Sequence, residues 1–287
     1  MRRRYASVLL TSALLASFLL SLSQHAVEAE VLAAPFAPIA CSHRLTQFSS
    51  DGFHLCAVTD THLLVCRVIR YDDEWRSVTL PDPKRIDSVT VSNGVIWGIT
   101  TEGAIMSTQI ANSAWWGVAG NVRRLSSNKT TLCGIDSEDF AVCAERGLNH
   151  VPNWKRLSNK VRIRDIDIHS GIAVAVAADG STWYPSELKI PLSNGPFVSI
   201  SSDAMFACAV RNDTGGVWCS AYLLSAWNEI GGGPFTQVTV NDRRLIALAR
   251  NGSLYSMYLT MAVGDVASPQ ICTFVEPGIC RRRITTR

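Results

Sequence analysis

Nine cysteines are the residues of this 287-residue chain best placed to do chemistry, and six of them fall into pairs of near-constant spacing. Cys56/Cys66 and Cys133/Cys143 lie 10 residues apart, and Cys208/Cys219 lie 11 apart. Thiols so spaced around a short turn face each other across a β-hairpin, which makes a disulfide the chemistry to expect. Each closed loop stabilises the fold by about 3 kcal/mol on the chain-entropy account. Metal ligation would need closer cysteine spacing with histidine partners. His25, His43, His54, His62, His150 and His169 are scattered instead, so no metal and no cofactor is expected. Cys41 is expected to pair with Cys272 or Cys280, leaving one odd thiol.

The elements that hold these pairs recur. Six copies read CAVTDTHLLVC from Cys56, WGITTEGAIMS from Trp97, CGIDSEDFAVC from Cys133, VAVAADGSTWY from Val174, CAVRNDTGGVWC from Cys208 and IALARNGSLYS from Ile246. The anchors stand 34 to 41 residues apart, which indicates stacked or ring-arranged units. Copies one, three and five carry the cysteines, so a two-unit block of 75 to 77 residues repeats three times. An aromatic followed three residues later by an aliphatic keeps step at Phe36/Ile39, Trp75/Val78, Trp115/Val118, Trp154/Leu157 and Trp227/Ile230.

Each copy reads as one hairpin, preceded by an apolar alternation such as Ile86 to Val91 and followed by the aromatic segment. Four short strands per unit, six units and no helical periodicity predict an all-β, six-bladed propeller spanning residues 30–258. The segment at Phe36 precedes any hairpin and Ile246 opens the last, so the N-terminal strand is expected to close the last blade. Residues 259–287 read as a tail with two cysteines and a basic end.

Copy two shows Trp75-Arg-Ser-Val78, Val91-Ser-Asn-Gly-Val-Ile-Trp-Gly-Ile99 and Glu102-Gly103-Ala-Ile105. This combination resembles the tectonin repeat, over roughly Phe36 to Met257. Tectonin-type proteins are six-bladed propellers whose exported members are lectins for microbial or foreign glycans, so the resemblance implies carbohydrate binding without catalysis. The Trp-Gly pair survives only at Trp97-Gly98, and cysteine replaces the tryptophan in three copies. The repeat is similar in outline to the regulator-of-chromosome-condensation propeller as well, without that family's Gly-His-Thr strand start.

The recurring tryptophans read as packing plugs, one per blade. Trp116 breaks that register beside Trp115 and is the expected exposed aromatic. Asp51, Asn93, Asn128, Ser170, Asp203 and Asp242 occupy the first turns and are expected to ring one face, where they could meet sugar hydroxyls. Asp60, Glu102, Glu138, Asp179, Asp213 and Asn251 fall on the opposite face. Sequons at Asn128, Asn212 and Asn251 predict exposed N-glycosylation sites. No carboxylate shares a segment with a base and an orienting group, and Asp179 to Trp183 is one residue short of the aspartate box of sialidase propellers, so an enzyme is not expected.

Arg2 to Arg4, the apolar run Val8 to Leu22 and the small residues up to Ala29 read as a secretory signal over residues 1–29. The formal charge of +3 draws on Arg2 to Arg4 and on Arg281, Arg282, Arg283 and Arg287. The body between is near neutral, which argues against a nucleic-acid partner. The expected partners are glycans or polysaccharide surfaces, outside the cell, with no membrane span; a disulfide-linked or non-covalent homo-oligomer stays open, as does a protein-interaction platform acting as inhibitor or effector. Digestion without reduction is expected to release Cys56–Cys66, Cys133–Cys143 and Cys208–Cys219 as linked peptides, and a bridge joining two different copies contradicts the hairpin assignment.

Overall fold

The computed structural model describes residues 36–38, 43–69, 75–81, 83–110, 114–145, 153–169, 172–184, 190–193, 195–221, 227–259 and 274–276. The segment 1–29 expected to be a signal, Cys41, Ser170, Cys272, Cys280 and the basic C-terminus lie outside them. Six antiparallel sheets form a six-bladed propeller. The inner strands are Leu45–Ser50, Ile86–Ser92, Val122–Ser127, Ile163–His169, Phe197–Ser202 and Phe235–Asn241. The second strands are His54–Thr59, Val95–Thr100, Thr131–Asp136, Ile172–Ala177, Phe206–Arg211 and Arg244–Ala249, and they carry the six anchors.

Packing explains the anchors' neighbours. The residue after each anchor is Ala57, Gly98, Gly134, Ala175, Ala209 or Ala247, small in every copy and buried wherever it is alanine. A Cβ on Gly134 would stand 2.7 Å from the Arg124 carbonyl, and one on Gly98 would stand 2.8 Å from Ile86 Cδ1, so the inner strand leaves no room for more. Cys56/Cys66, Cys133/Cys143 and Cys208/Cys219 are direct cross-strand partners with Cα atoms 4.1 Å apart and sulfurs at bonding distance. In blades two and six the same register pairs Trp97 with Ser107 and Ile246 with Ser256.

Apolar burial is divided into six clusters, one at each junction between neighbouring blades. The recurring tryptophans plug them. Trp75 packs between blades six and one, Trp115 between one and two, Trp154 between two and three, and Trp227 between four and five. The indole of Trp115 donates to Thr79 O at 2.8 Å and that of Trp154 to Ala119 O at 2.9 Å, so each plug also satisfies a carbonyl of the preceding blade. The outer strand of blade four (Ile190–Ser193) has no tryptophan, and Trp183 from the third strand packs against the blade three–four core instead.

Ring closure differs from the expectation. Phe36–Pro38 does not complete blade six; it pairs outside the outer strand of blade one, Phe36 against Val78 and Pro38 against Arg76. Pro38 has no N–H to give a ladder, and an edge is where such a residue is tolerated. The outer strand of blade six is Phe274–Glu276, which pairs with Leu254–Tyr258. Residues read as a tail therefore belong to the propeller, and the chain pairs each terminal segment with its own nearest blade rather than sharing a blade between the termini. The aromatic-x-x-aliphatic spacing concealed this, because Pro277 stands where the aliphatic would be.

Blades six and one are thus joined without a common sheet. Leu45, Phe48, Leu55 and Trp75 of blade one meet Ile246, Leu248 and Leu254 of blade six. Replacing Trp75, only 6% exposed, by alanine is expected to lower unfolding free energy by about 3–5 kcal/mol. Denaturant titration checks this, and a loss under about 1 kcal/mol would show that the junction does not depend on the plug.

Candidate functional site

The inner strand of each blade is a sheet edge, and its outward N–H and C=O groups need partners inside a ring too narrow for another strand. Among the described residues, side chains of the preceding blade provide partners for every inner strand except Val122–Ser127, which blade two meets through the Thr90 and Ser127 hydroxyls. Every inner strand carries a bulge after its first core residue, between Leu45/Gln47, Ile86/Ser88, Val122/Leu125, Ile163/Asp165, Phe197/Ser199 and Phe235/Gln237. The extra residue re-aims the side chains that follow. Two belts result: Gln47, Ser88, Arg124, Asp165, Ser199 and Gln237, then Ser49, Thr90, Ser126, Asp167, Ser201 and Thr239.

The belts bond forward around the ring. Gln47 accepts from Val89 N at 2.8 Å and donates to Val89 O at 2.9 Å, and Ser49 accepts from Val91 N at 3.1 Å. The Thr90 and Ser127 hydroxyls lie 3.4 Å apart. Ser126 accepts from Ile168 N at 2.9 Å. Asp165 accepts from Ile200 N at 3.0 Å and Asp167 from Ser202 N at 2.8 Å. Ser201 accepts from Val240 N at 2.9 Å, and Gln237 closes the circle by accepting from Phe48 N at 3.2 Å and donating to Phe48 O at 2.7 Å.

The upper belt opens into a cavity of about 1150 Å³ on the face of the first turns. Its lining is rich in hydroxyl, amide, imidazole and carboxyl groups, with Phe53 as the one phenyl ring among the described residues. Asp51, Asn93, Asn128 and Lys129 stand at its mouth with His54 and His169.

The structure brings only some of the expected ligand residues together. Asp51 and Asn93 line the mouth; Asp203 and Asp242 sit in first turns on the same face but outside the cavity lining. Trp116 lies on the outer strand of blade two opposite Ser107, half-buried, and does not approach the mouth. The turn carboxylates are committed to folding. Asp51 Oδ1 accepts from Phe53 N and His54 N at 3.0 and 2.7 Å, while Oδ2 meets His54 Nδ1 at 3.1 Å and Gly94 N at 3.2 Å. Asp203 does the same with Met205 N, Phe206 N and, across the junction, Arg243 N. Asn93 and Asp242 open two-residue turns with positive φ, 52° and 49°, where Asn and Asp are favoured for backbone reasons.

Of the sequon residues, Asn212 and Asn251 are exposed as expected, whereas Asn128 is 9% exposed with its oxygen accepting from Thr130 N and Thr131 N. Part of the opposite face is neutralised: Lys84 pairs with Glu102, Arg123 with Asp139, Arg156 with Asp136 and Glu138, and Arg211 with Asp213. No group of three metal-ligating side chains occurs among the described residues.

Two residues missed in the sequence are the acids of blade four. Asp165 takes Arg124 Nε at 2.7 Å, and Asp167 takes the hydroxyls of Ser126 and Ser201 at 2.7 and 3.0 Å. Asp167 touches the cavity yet is otherwise enclosed by blades three, four and five. Burial pushes its pKa up, neighbouring Asp165 adds to the rise, and the hydrogen bonds from Ser126, Ser202 and Ser201 only moderate it. For Asp51 burial also acts upward, but the hydrogen bond and charge of His54 and the Gly94 N–H outweigh it and hold the carboxyl below its usual range. The alternation Asp165-Ile-Asp167-Ile-His169 was the available signal, since apolar residues between acids in a strand leave the acids on one face.

No protein-family model matches the chain, and no curated protein does. Solved structures do. The CRINKLY WD40 ectodomain of the Arabidopsis thaliana receptor kinase ACR4 is 11% identical with a TM-score of 0.54, covering 80% of this chain and 83% of that one. Prp20p from Saccharomyces cerevisiae is 12% identical with a TM-score of 0.53, covering 74% and 71%. Human WBSCR16 is 11% identical with a TM-score of 0.53, covering 77% of each. Such likeness establishes the propeller fold and nothing finer, and none of these matches points to the tectonin repeat.

A carboxyl whose pKa is raised by folding binds protons more tightly when native, so its contribution falls as pH rises through the folded value. Asp167→Asn can keep Ser202 N–H on its amide oxygen while its NH2 donates to the Ser126 hydroxyl. Denaturation followed upward from about pH 4 is expected to show wild type losing stability relative to this variant as pH rises. The opposite trend would show that ionised Asp167 is favoured by its surroundings.

Proposed function

We propose that this chain is an exported, non-catalytic binding propeller that recognises glycans with the mouth of its central channel. The observation that carries this reading is the cavity of about 1150 Å³ with its hydroxyl, amide and imidazole lining, a surface suited to a polyhydroxylated ligand. Recognition by several equivalent weak sites, one per blade, has less support, because Asp51 and Asp203 spend their oxygens on backbone N–H groups. Multivalency then comes from oligomers or from repetitive glycan surfaces meeting one mouth per chain. The resemblance to tectonin lectins and the export signal read in residues 1–29 point the same way.

The second reading is a protein-interaction platform. It draws on the similar structures, one of which is yeast Prp20 bound to Kap60 at 12% identity. Competition by free sugars separates the two.

Asn93→Gly keeps the positive φ while removing the amide, and His169→Ala removes an imidazole from the lining. On immobilised polysaccharide the double variant is expected to lose binding at least about fivefold with an unchanged melting temperature, while Trp116→Ala leaves binding intact. Hydrogen-bonded recognition should persist at about 0.5 M salt. Absence of binding across a broad glycan array, or loss confined to Trp116→Ala, overturns this placement of the site.

A further inference from the structure

The face opposite the channel mouth carries a charge imbalance that the repeat makes visible. Arg123 and Arg164 follow the first core residue of their inner strands, Val122 and Ile163. Arg123 is neutralised by Asp139, which accepts from its Nε and Nη2 at 3.1 and 2.8 Å. Asp139 occupies the left-handed position of its turn, φ 69°, and the corresponding residue of blade four is Gly180, φ 86°. Arg164 therefore meets glycine where its counterpart meets a carboxylate. The adjoining Asp179 spends one oxygen on Ser181, accepting from N at 2.9 Å and Oγ at 2.6 Å.

Three further bases lie within nine residues of Arg164 in sequence. Lys155, Lys160 and Arg162 are exposed, the segment 155–164 contains no acid, and none of these four side chains has an ion pair among the described residues. Arg156 in the same run is the exception, held by Asp136 and Glu138. An isolated exposed lysine or arginine is ordinarily only solvated. Here three of the bases, Lys160, Arg162 and Arg164, alternate within five residues where the chain passes from the outer strand of blade three to the inner strand of blade four, on a face where Lys84, Arg123, Arg156 and Arg211 are paired.

We propose that this edge, formed by Lys160, Arg162 and Arg164 with Lys155 beside them, binds an acidic polysaccharide bearing carboxylate or sulfate groups. The surface is a turn-lined edge rather than a pocket, which suits a polymer that accumulates several weak ion pairs over a small bound anion. No aromatic occurs in residues 155–164 to stack a base, which disfavours single-stranded nucleic acid. The choice of a polysaccharide also rests on the export reading of the chain. This site is separate from the channel mouth and differs from it in salt response.

Binding of the full chain to sulfated, carboxylated and neutral dextran at about 50 mM and about 0.5 M NaCl tests it. Wild type is expected to prefer the charged dextrans at least about tenfold at low salt and to lose that preference at high salt. K160Q/R162Q/R164Q should lose at least about fivefold at low salt with an unchanged melting temperature, against less than about twofold for the charge-matched R76Q/R85Q/R250Q. Equal binding to charged and neutral dextran, an equal fall in both triple variants, or tighter binding to an oligonucleotide of equal charge density overturns the proposal. The wild-type salt series decides the question if the triple variant does not fold. Salt-resistant binding of neutral glycans reports the channel mouth alone, so failure there and failure here are separate results.

Discussion

Everything in this propeller depends on satisfying the innermost edge of each blade. An inner strand presents backbone N–H groups toward a channel where no seventh strand fits, and a buried donor without an acceptor costs about 1–3 kcal/mol. The ring resolves this with short polar side chains from the neighbouring blade, bonding in one direction at five of the six junctions, while blades two and three meet through the Thr90 and Ser127 hydroxyls. That requirement selects Gln, Ser, Thr and Asp at two positions of each inner strand, with Arg124 as the exception, and a bulge precedes them in every inner strand. It also leaves the channel polar, so the candidate site is built from the surface that holds the ring together. Ring closure follows the same rule, since blades six and one share no strand and meet through Gln237 and an apolar cluster around Trp75.

The unit of construction is a pair of blades. Odd blades join inner and second strands by four residues, with Ser50, Ser127 and Ser202 paired to Leu55, Leu132 and Ala207. Even blades use two, with Ser92, His169 and Asn241 paired to Val95, Ile172 and Arg244. Odd blades carry the cysteine pairs and begin their turns with Asp51, Asn128 or Asp203, and the two aspartates reach across to the next turn. The upper belt is serine in all odd blades and threonine in blades two and six, so Asp167 is the departure. Arg124, Asp165, Asp167 and His169 all belong to the third and fourth blades, and that pair is where the threefold pattern of the belts gives way to charge.

The hairpins, their number and the cysteine pairing positions were legible because local periodicity dictates them: anchors recur, turns carry Asn, Asp and Gly, and paired cysteines sit at equal spacing. The tryptophan plugs were legible because one aromatic returned at one position. Other features depend on what lies across a junction. A threonine in a strand looks alike whether it faces solvent or a channel, so the belts were hidden. Asp51 and Asp203 are turn formers and ligand candidates by sequence alike, but their acceptors are filled by N–H groups up to 43 residues away. Trp115 packs into the junction between blades one and two, whereas Trp116 is half-buried on the outer strand and outside the cavity lining. Asn128 shows the same limit, since a turn sequence does not reveal that its side chain folds back on the turn.

Native-state hydrogen exchange tests the account most directly. If side chains of the preceding blade satisfy the inner edges, the amides of Phe48, Val89, Val91, Ile168, Ile200, Ser202 and Val240 exchange slowly, near the rate set by global unfolding, although no strand pairs with them. Gln237→Leu should then release Phe48 selectively while Val89, held by Gln47, stays protected. Rapid exchange of these amides in the wild-type protein, or protection of Phe48 unchanged by Gln237→Leu, would contradict the claim that side-chain bonds around the channel hold the ring closed.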